Sequence, residues 1–258
     1  MRLKNIPGAR DVVAVSEYVV QDPERYKGKW QEVFGNDHPI ELEIGIGKGK
    51  FLMDLAAEHP EKNFLGMEMY SSVLLRAIQK AEQRAAGAET PLPVSVHRRP
   101  ARPDNCNFRL LRFDASGLSA LFEKGEISGI YLNFSDPWPK ERHADRRLTS
   151  GRFLRRYEEV LPAGGKLVFK TDNRGLFDFS LEQIRENGWE LIYHTFDLHG
   201  VGRRTEEEPD GTGLGTGEDT DGNRYQPETG RIMTEYEEKF VSEGKTICML
   251  EARYDHEI

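Results

Sequence analysis

The stretch Ile40-Glu41-Leu42-Glu43-Ile44-Gly45-Ile46-Gly47-Lys48-Gly49 decides the fold, because a short strand pattern leads directly into three glycines. Apolar residues at three- and four-residue spacings follow over 48–58, which predicts a helix. Strand, glycine loop and helix in this order are typical of the first unit of an open α/β sheet. The glycines let the backbone approach a ligand closely at the end of the strand.

The alternation of strand and helix patterns continues to the C-terminus. Strand patterns cover 40–44, 63–67, 108–113, 129–134, 165–170, 191–198 and 246–254. Helical patterns cover 48–58, 70–86, 152–161 and 176–187, and a short helix is predicted over 234–242. These patterns predict an α/β fold with a mostly parallel seven-stranded sheet, helices on both faces and an antiparallel strand near the C-terminus.

Composition excludes several classes of protein. The 258 residues carry a formal net charge of -8, which argues against indiscriminate binding to polyanions. No apolar run approaches the roughly 20 residues that span a bilayer, and no hydrophobic N-terminal signal is visible, so we expect a cytoplasmic protein with no membrane partner. Cys106 and Cys248 lie far apart without metal-ligand spacing, so we expect no metal site and no disulfide.

The glycine loop favours a cationic ligand over a dinucleotide. A dinucleotide fingerprint reads Gly-x-Gly-x-x-Gly, and Lys50 occupies the position of its last glycine here. Glu43 adjoins the loop, and its carboxylate would repel a pyrophosphate but suits an ammonium or a sulfonium group. S-adenosylmethionine carries both cations, so we expect it as the cofactor.

Four acidic residues terminate or adjoin four successive strand patterns: Glu43, Glu68, Asp114 and Asp136. In a parallel sheet these positions fall on one rim, where ligands bind. Glu68 can accept hydrogen bonds from the hydroxyls of a ribose, and Asp114 can accept a hydrogen bond from an adenine amino group. Each carboxylate taken alone is equally compatible with a solvent-facing position, and Phe113 is interpreted as a core residue.

The run from Asn133 to Leu148 joins an acid to a cationic segment. Pro137 and Pro139 cannot donate to a sheet, so the chain must leave the sheet near Asp136. Seven basic residues then follow, which suit phosphate groups: Lys140, Arg142, Arg146, Arg147, Arg152, Arg155 and Arg156. Two plainer alternatives stay open, an Asx-type turn at Asp136 and a solvated helix face for the arginines.

These residues resemble the bacterial tRNA (guanine-N7-)-methyltransferases, the TrmB family, nearly from end to end. The resemblance depends on five motifs, which lie at 26–36, 43–49, 133–148, 169–177 and 234–240. It implies a Rossmann-like class I methyltransferase fold and methyl transfer from S-adenosylmethionine to N7 of a guanine in the tRNA variable loop, at tRNA position 46. A glycine loop alone would indicate only a methyltransferase.

The resemblance also implies roles for individual residues. The cofactor would be bound by Glu43, Gly45, Gly47, Gly49, Glu68, Asp114 and Asp136, and Asp136 would also be catalytic. The tRNA would be bound by Lys140, Arg142, His143, Ala144, Asp145, Arg146, Arg147, Asp172, Thr234, Glu235, Tyr236 and Glu237. Trp138 and Tyr236 fit a base-stacking role and a packing role equally well, and the pattern Thr234-x-x-Glu237 also predicts a capping box.

The predicted organisation is an N-terminal arm at 1–36 and a single domain at 37–258, with inserted loops at 87–107 and 202–230. The arm is compatible with a disordered tRNA contact and with a packed strap, and a monomer or a homodimer is expected. Three other functions fit less of the sequence. A methyltransferase for proteins or small molecules would not need the segment 136–147, an RNA-binding module would not need Glu43 and Glu68, and a nicotinamide dehydrogenase conflicts with Lys50.

Overall fold

A computed structural model describes residues 5–90, 102–201 and 229–255. The strands are β1 Ile40–Ile44, β2 Asn63–Met67, β3 Phe108–Leu111, β4 Gly129–Asn133, β5 Gly165–Thr171, β6 Glu190–Thr195 and β7 Cys248–Tyr254. The helices are α1 Ala9–Val15, α2 Gln31–Phe34, α3 Lys50–Glu58, α4 Ser71–Ala85, α5 Leu118–Leu121, α6 Gly151–Glu158, α7 Arg174–Glu186 and α8 Glu235–Ser242.

The seven strands form one sheet in the order β3-β2-β1-β4-β5-β7-β6. The first five strands pair in parallel, and β7 lies antiparallel between β5 and β6. The predicted Rossmann-like sheet and its antiparallel C-terminal strand are therefore confirmed. The parallel strands need crossover connections, which the helices between them supply.

Two hydrophobic clusters lie on opposite faces of the sheet, because successive strand residues alternate between them. On β4, Ile130 and Leu132 join the cluster that contains residues of α5, α6 and α7, whereas Tyr131 joins the cluster that contains residues of α3 and α4. All three side chains are buried. The parallel strands are thus covered on both faces, as their apolar sequences require.

The strand at 108–113 is shorter than predicted, because Asp114 caps a tight turn by accepting a hydrogen bond from the Ser116 N–H at 2.8 Å. The predicted strand 191–198 likewise ends early, where the Thr195 hydroxyl accepts from the Asp197 N–H at 3.2 Å. The short helices α1, α2 and α5 were not predicted. They fall outside the long periodic segments on which the helix predictions depended.

The N-terminal residues that the structure describes are packed against the sheet. Tyr18 and Trp30 are almost fully buried, and the Trp30 indole N–H donates to the Leu121 oxygen at 2.9 Å. Val19 pairs with Leu110 beyond the edge of the sheet. Residues 5–36 therefore form a packed strap. Of the two segments predicted as mobile loops, 91–101 and 202–228 lie outside the described residues.

Candidate active site

The strand order brings five acidic residues to one rim of the sheet. Glu43 lies near the end of β1, and shortly after β3, β2, β4 and β5 come Asp114, Glu68, Asp136 and Asp172. These five strands are adjacent and parallel. The carboxyl ends of parallel strands meet at one edge, which is where ligands bind in such sheets. The arrangement expected for the four cofactor acids is thus the observed one, with Asp172 beside it.

The three glycines of the loop after β1 are needed for more than one structural reason. Gly45 and Gly47 have φ angles of 80° and 55°, and a Cβ on either would meet nothing within 4 Å. Space therefore exists above them, and a positive φ is what excludes larger residues. At Gly49 a Cβ would lie 3.1 Å from Met53 Cε and 3.2 Å from Ala77 Cβ. Gly49 thus permits close packing of α3 on α4.

Glu43 is buried next to this loop with an unsatisfied oxygen. Its Oε1 accepts a hydrogen bond from Asn133 Nδ2 at 3.0 Å. Among the residues that the structure describes, neither Glu43 Oε2 nor Asn133 Oδ1 has a hydrogen-bond partner, although both are buried. Burial raises the pKa of Glu43 to about 8, against the hydrogen bond from Asn133. Two adjacent buried oxygens that lack partners in the described part of the chain indicate a site for a group that donates hydrogen bonds or carries positive charge.

Glu68 is also buried, but the backbone satisfies part of its carboxylate. Its Oε1 accepts from the Tyr70 N–H at 2.9 Å. Burial raises the pKa of Glu68, and the Asp136 carboxylate adds to that increase while backbone N–H groups oppose it. The Asp136 and Glu68 carboxylates are therefore close enough for their negative charges to repel each other. Asp114 is exposed, and its capping bond to Ser116 leaves one carboxylate oxygen available.

Asp136 is exposed on a strained loop. Phe134 and Trp138, which flank it, have φ angles of 53° and 41°, a region that side chains other than glycine rarely adopt. Arg147 stabilises this conformation by donating from Nε to the Pro137 oxygen and from Nη2 to the Trp138 oxygen, both at 3.2 Å. Such strain persists only where surrounding contacts fix the backbone, and it is common at functional sites.

Basic side chains of the following segment cluster around Trp138. The Arg146 guanidinium lies 5.0 Å from the Trp138 ring centroid, and the His143 ring meets it edge-on at 5.8 Å. Lys140 and Arg142 are exposed beside them. Trp138 is half-buried beneath Arg146 and His143.

The remaining residues of the segment divide into surface and structural positions. Glu141–Arg146 form a short 3-10 helix, in which Ala144 is half-buried and Asp145 is exposed. Further along the chain, Arg155 donates to Asn187 at 3.4 Å and Arg156 stacks on Phe153. Arg155 and Arg156 therefore have contacts within the protein.

The segment 234–237 begins α8, and the predicted capping box is present. Thr234 Oγ1 accepts from the Glu237 N–H at 3.0 Å, and Glu237 Oε2 accepts from the Thr234 N–H at 3.3 Å. Glu235 forms an ion pair with Lys80 of α4. Tyr236 is 44% exposed, whereas Glu237 is fully buried. Thr234, Glu235 and Tyr236 therefore lie at or near the surface, and Glu237 points into the protein.

Sequence reasoning missed several residues that hold the site together. Asn133 bonds Glu43, Lys170 pairs with the buried Glu237 at 3.2 Å, and Lys50 pairs with Glu238 at 2.9 Å. A lysine directly after the apolar run 167–169 was a usable signal, because a charge inside a buried strand requires a partner. The other partners lie too far apart in sequence for any spacing rule to connect them.

Two features, a metal site and a membrane-spanning helix, are not seen in the described ranges. No group of three or more His, Cys, Asp or Glu side chains there could hold a metal ion. No helix among these residues is long and apolar enough to cross a membrane.

Comparisons with known proteins point to one chemistry. A family model described as "Putative methyltransferase" matches residues 37–210. A tRNA (guanine-N(7)-)-methyltransferase of Lachnoclostridium phytofermentans is 48% identical over 252 residues, which is 98% of each chain. A protein of the same name from Bacillus subtilis is 40% identical over 255 residues, which is 98% of this chain and 99% of the relative.

Solved structures of similar fold are more distant in sequence. The crystal structure of the 16S rRNA methyltransferase KamB is 12% identical, with a TM-score of 0.54 over 89% of this chain and 94% of the other. An antibiotic-related methyltransferase is 11% identical, with a TM-score of 0.55 over 92% and 96% of the two chains. At these identities the likeness supports the fold alone.

Proposed function

The chain belongs to the tRNA (guanine-N(7)-)-methyltransferases, and from this premise we propose that it transfers the methyl group of S-adenosylmethionine to N7 of a guanine in the variable loop of tRNA. The observation that carries the proposal is a pair of buried oxygens, Glu43 Oε2 and Asn133 Oδ1, which have no hydrogen-bond partner in the described part of the chain and lie beside the open loop of Gly45 and Gly47. A bound amino-acid ammonium group supplies the missing donors.

S-adenosylmethionine fits the residues along this rim. Glu43 and Asn133 hold its ammonium group, and Gly45, Gly47 and Gly49 shape the loop around it. Glu68 accepts hydrogen bonds from the ribose hydroxyls, and Asp114 accepts one from the adenine amino group. Asp136 lies on the side of the cofactor that faces the second substrate. When bound, the sulfonium supplies a methyl group that is electrophilic at neutral pH.

The tRNA is held by the exposed cationic segment and by two further groups of residues. We assign this role to Lys140, Arg142, His143, Ala144, Asp145, Arg146, Arg147, Asp172, Thr234, Glu235, Tyr236 and Glu237. Within this set Lys140 and Arg142 face solvent and suit phosphate contacts. Arg147 and Glu237 act from inside, because their polar atoms are engaged with loop carbonyls and with Lys170.

The chemistry requires little proton transfer. Guanine N7 presents a lone pair in the plane of the ring, so attack on a methyl group needs no prior deprotonation and no strong general base. Positioning and electrostatics therefore account for most of the rate. Methylation leaves positive charge on the purine, and the Asp136 carboxylate offsets it. Asp172, at the end of the neighbouring strand β5, accepts hydrogen bonds from guanine N1 and the exocyclic amine.

The strain around Asp136 serves this mechanism. Pro137, Pro139 and the hydrogen bonds from Arg147 hold the acid in one conformation before substrate arrives. A preorganised charge costs no reorganisation during the reaction. Four properties stay predictions: a cytoplasmic location, a monomeric or homodimeric state, the absence of a metal, and an arm at 1–36 followed by one domain at 37–258.

The proposal is tested by transfer of labelled methyl from S-adenosylmethionine to an unmodified tRNA transcript. A matched transcript carries adenine in place of the variable-loop guanine. We expect transfer to the first transcript alone. Transfer to both would move the target to another position, and transfer to neither, with cofactor binding intact in calorimetry, would contradict tRNA as the acceptor.

A further inference from the structure

Lys170, near the end of β5, connects three parts of the proposed site. Its backbone oxygen accepts the Phe134 N–H at 2.9 Å, two residues before Asp136. The chain reaches Asp172 two residues after it. Its side chain is fully buried and pairs with Glu237 Oε1 at 3.2 Å. One residue thus contacts the acid loop through its backbone and the start of α8 through its side chain.

The ammonium group of Lys170 is fully used. Besides Glu237, it donates to the Ile232 oxygen at 2.9 Å and to the Thr229 oxygen at 3.1 Å. An ammonium has three N–H donors, and these three acceptors match them. Burial lowers the pKa of Lys170, and the Glu237 carboxylate opposes that change. The lysine therefore tethers the chain at 229–232 that leads into Thr234.

Glu237 extends the tether to the exposed end of α8. Its carboxylate also accepts from the Thr234 N–H at 3.3 Å and lies 2.8 Å from His199 Nε2. On the surface above it, the Tyr236 ring lies 6.2 Å from the Phe240 ring, which lies 5.9 Å from the Phe134 ring. The segment 234–236 is thereby in contact with the strained loop through both a buried pair and a chain of aromatic rings.

We propose that Lys170 is a positioning residue, which acts through Glu237 to fix the segment 234–236 at one distance from Asp136. The inference rests on the proposed function, since it requires that segment to contact tRNA. A well-packed apolar pair often stabilises a fold as well as a buried ion pair does, so stability alone gives no reason for the charges. The ionic pair accepts only one geometry, because every donor on Lys170 has a fixed acceptor.

The test compares Lys170→Met, Glu237→Gln and the double variant with the wild type. Lys170 has no exposed surface, so its replacement cannot remove a direct tRNA contact. Lys170→Met removes the ammonium partner of the buried Glu237 carboxylate and leaves the Thr229 and Ile232 oxygens without this donor, so it should lower the Tm markedly. The double variant should recover the part of that loss that comes from the buried charge. We expect the double variant to keep the wild-type affinity for S-adenosylmethionine but to lose about tenfold in kcat/KM for tRNA, mainly through KM.

A matched control lies on the same helix. Lys239 and Glu243 form an exposed pair at 3.7 Å, and the double variant Lys239→Met/Glu243→Gln should match the wild type in every assay. A folded Lys170→Met/Glu237→Gln enzyme with a wild-type KM for tRNA would overturn the proposal, whatever share of the Tm it recovers. If that double variant does not fold, Glu237→Gln decides, because glutamine keeps the shape and the capping acceptor, and a wild-type KM for tRNA would again overturn it.

Amide hydrogen exchange over 232–238, measured without tRNA, separates this proposal from the proposed function. Faster exchange in the folded double variant than in the control supports the tether even if the wild type transfers no methyl to tRNA. Equal exchange rates would contradict the tether whatever the activity of the wild type.

Discussion

The two halves of the proposed site, on the cofactor side and on the tRNA side, differ in how they hold their charges. On the cofactor side, Glu43 and Glu68 are buried and their pKa values are raised by burial. On the tRNA side, Asp136, Lys140 and Arg142 are exposed. The first half encloses its carboxylates, and the second half presents its charges on the surface, where a large partner can meet them.

This difference predicts different kinds of sensitivity. A buried carboxylate interacts strongly with a ligand cation, since little water screens it, so its effects should appear in cofactor affinity and in pH dependence. Exposed arginines interact weakly one by one and are screened by salt. Their effects should appear in the salt dependence of tRNA binding.

The largest effect is expected at Asp136, where the two halves meet. Asp136→Asn removes the charge that offsets the developing positive charge on the purine, so kcat should fall by about 10²–10³-fold. Cofactor affinity by calorimetry should change much less. Glu141→Gln, an exposed carboxylate in the same segment, is the control and should keep wild-type kcat. An Asp136→Asn enzyme with most of its kcat would remove this residue from the mechanism.

The second largest effect is expected for Glu43→Gln, which should weaken S-adenosylmethionine binding by about 10–100-fold. Because the pKa of Glu43 without ligand is about 8 and a bound cation favours the charged carboxylate, wild-type binding should release a proton at pH 7 and tighten as the pH rises toward 8. Calorimetry in buffers of different ionisation enthalpy measures that proton.

The matched control for Glu43→Gln is Glu41→Gln on the same strand. The Glu41 carboxylate accepts a hydrogen bond from the Tyr131 hydroxyl at 2.6 Å and belongs to the packed interior. This variant should retain the proton release. Equal release from wild type and Glu43→Gln would contradict the assignment of the proton to Glu43.

A smaller effect is expected for Arg147→Met, a variant that tests whether Arg147 acts on the Asp136 loop or on tRNA phosphates. Methionine can pack on the Phe179 ring in place of the Arg147 guanidinium, but it loses the hydrogen bonds to the Pro137 and Trp138 oxygens. The loop that carries Asp136 should relax, and kcat should fall by about tenfold with little change in the salt dependence of tRNA binding. A reduced salt slope with wild-type kcat would instead make Arg147 a phosphate contact.

The smallest effect is expected for Arg142→Ala. Loss of one phosphate contact should reduce the slope of log K against log salt by about 1 and raise KM for tRNA. Binding titrations at several salt concentrations give the slope. Arg253→Ala provides an exposed arginine for comparison, because Arg253 lies opposite Lys166 near the start of β5, at the end of the sheet away from Asp172. The same slope change in both variants would mean that overall charge, not a local contact, determines it.

Local sequence rules were sufficient for features that a few consecutive residues form by themselves. The strands at 40–44 and 63–67 have the predicted boundaries, and the capping box at Thr234 and Glu237 is present. They were insufficient where a side chain serves two purposes. Glu237 was assigned to tRNA from its position in a motif, yet its carboxylate is enclosed by Lys170, His199 and the Thr234 backbone.

The sequence by itself determined the α/β class of the fold, the acids at the ends of successive strand patterns and the site of the glycine loop, because strand period and turn residues are local properties. The tertiary structure decided the order of the strands and with it the order of the acids along the rim. Only the tertiary structure decided which charges are buried. Asn133 meets Glu43 across neighbouring strands, and Lys170 meets Glu237 across 67 residues. Burial and pairing depend on distances between segments remote in sequence, so no spacing within one segment can predict them.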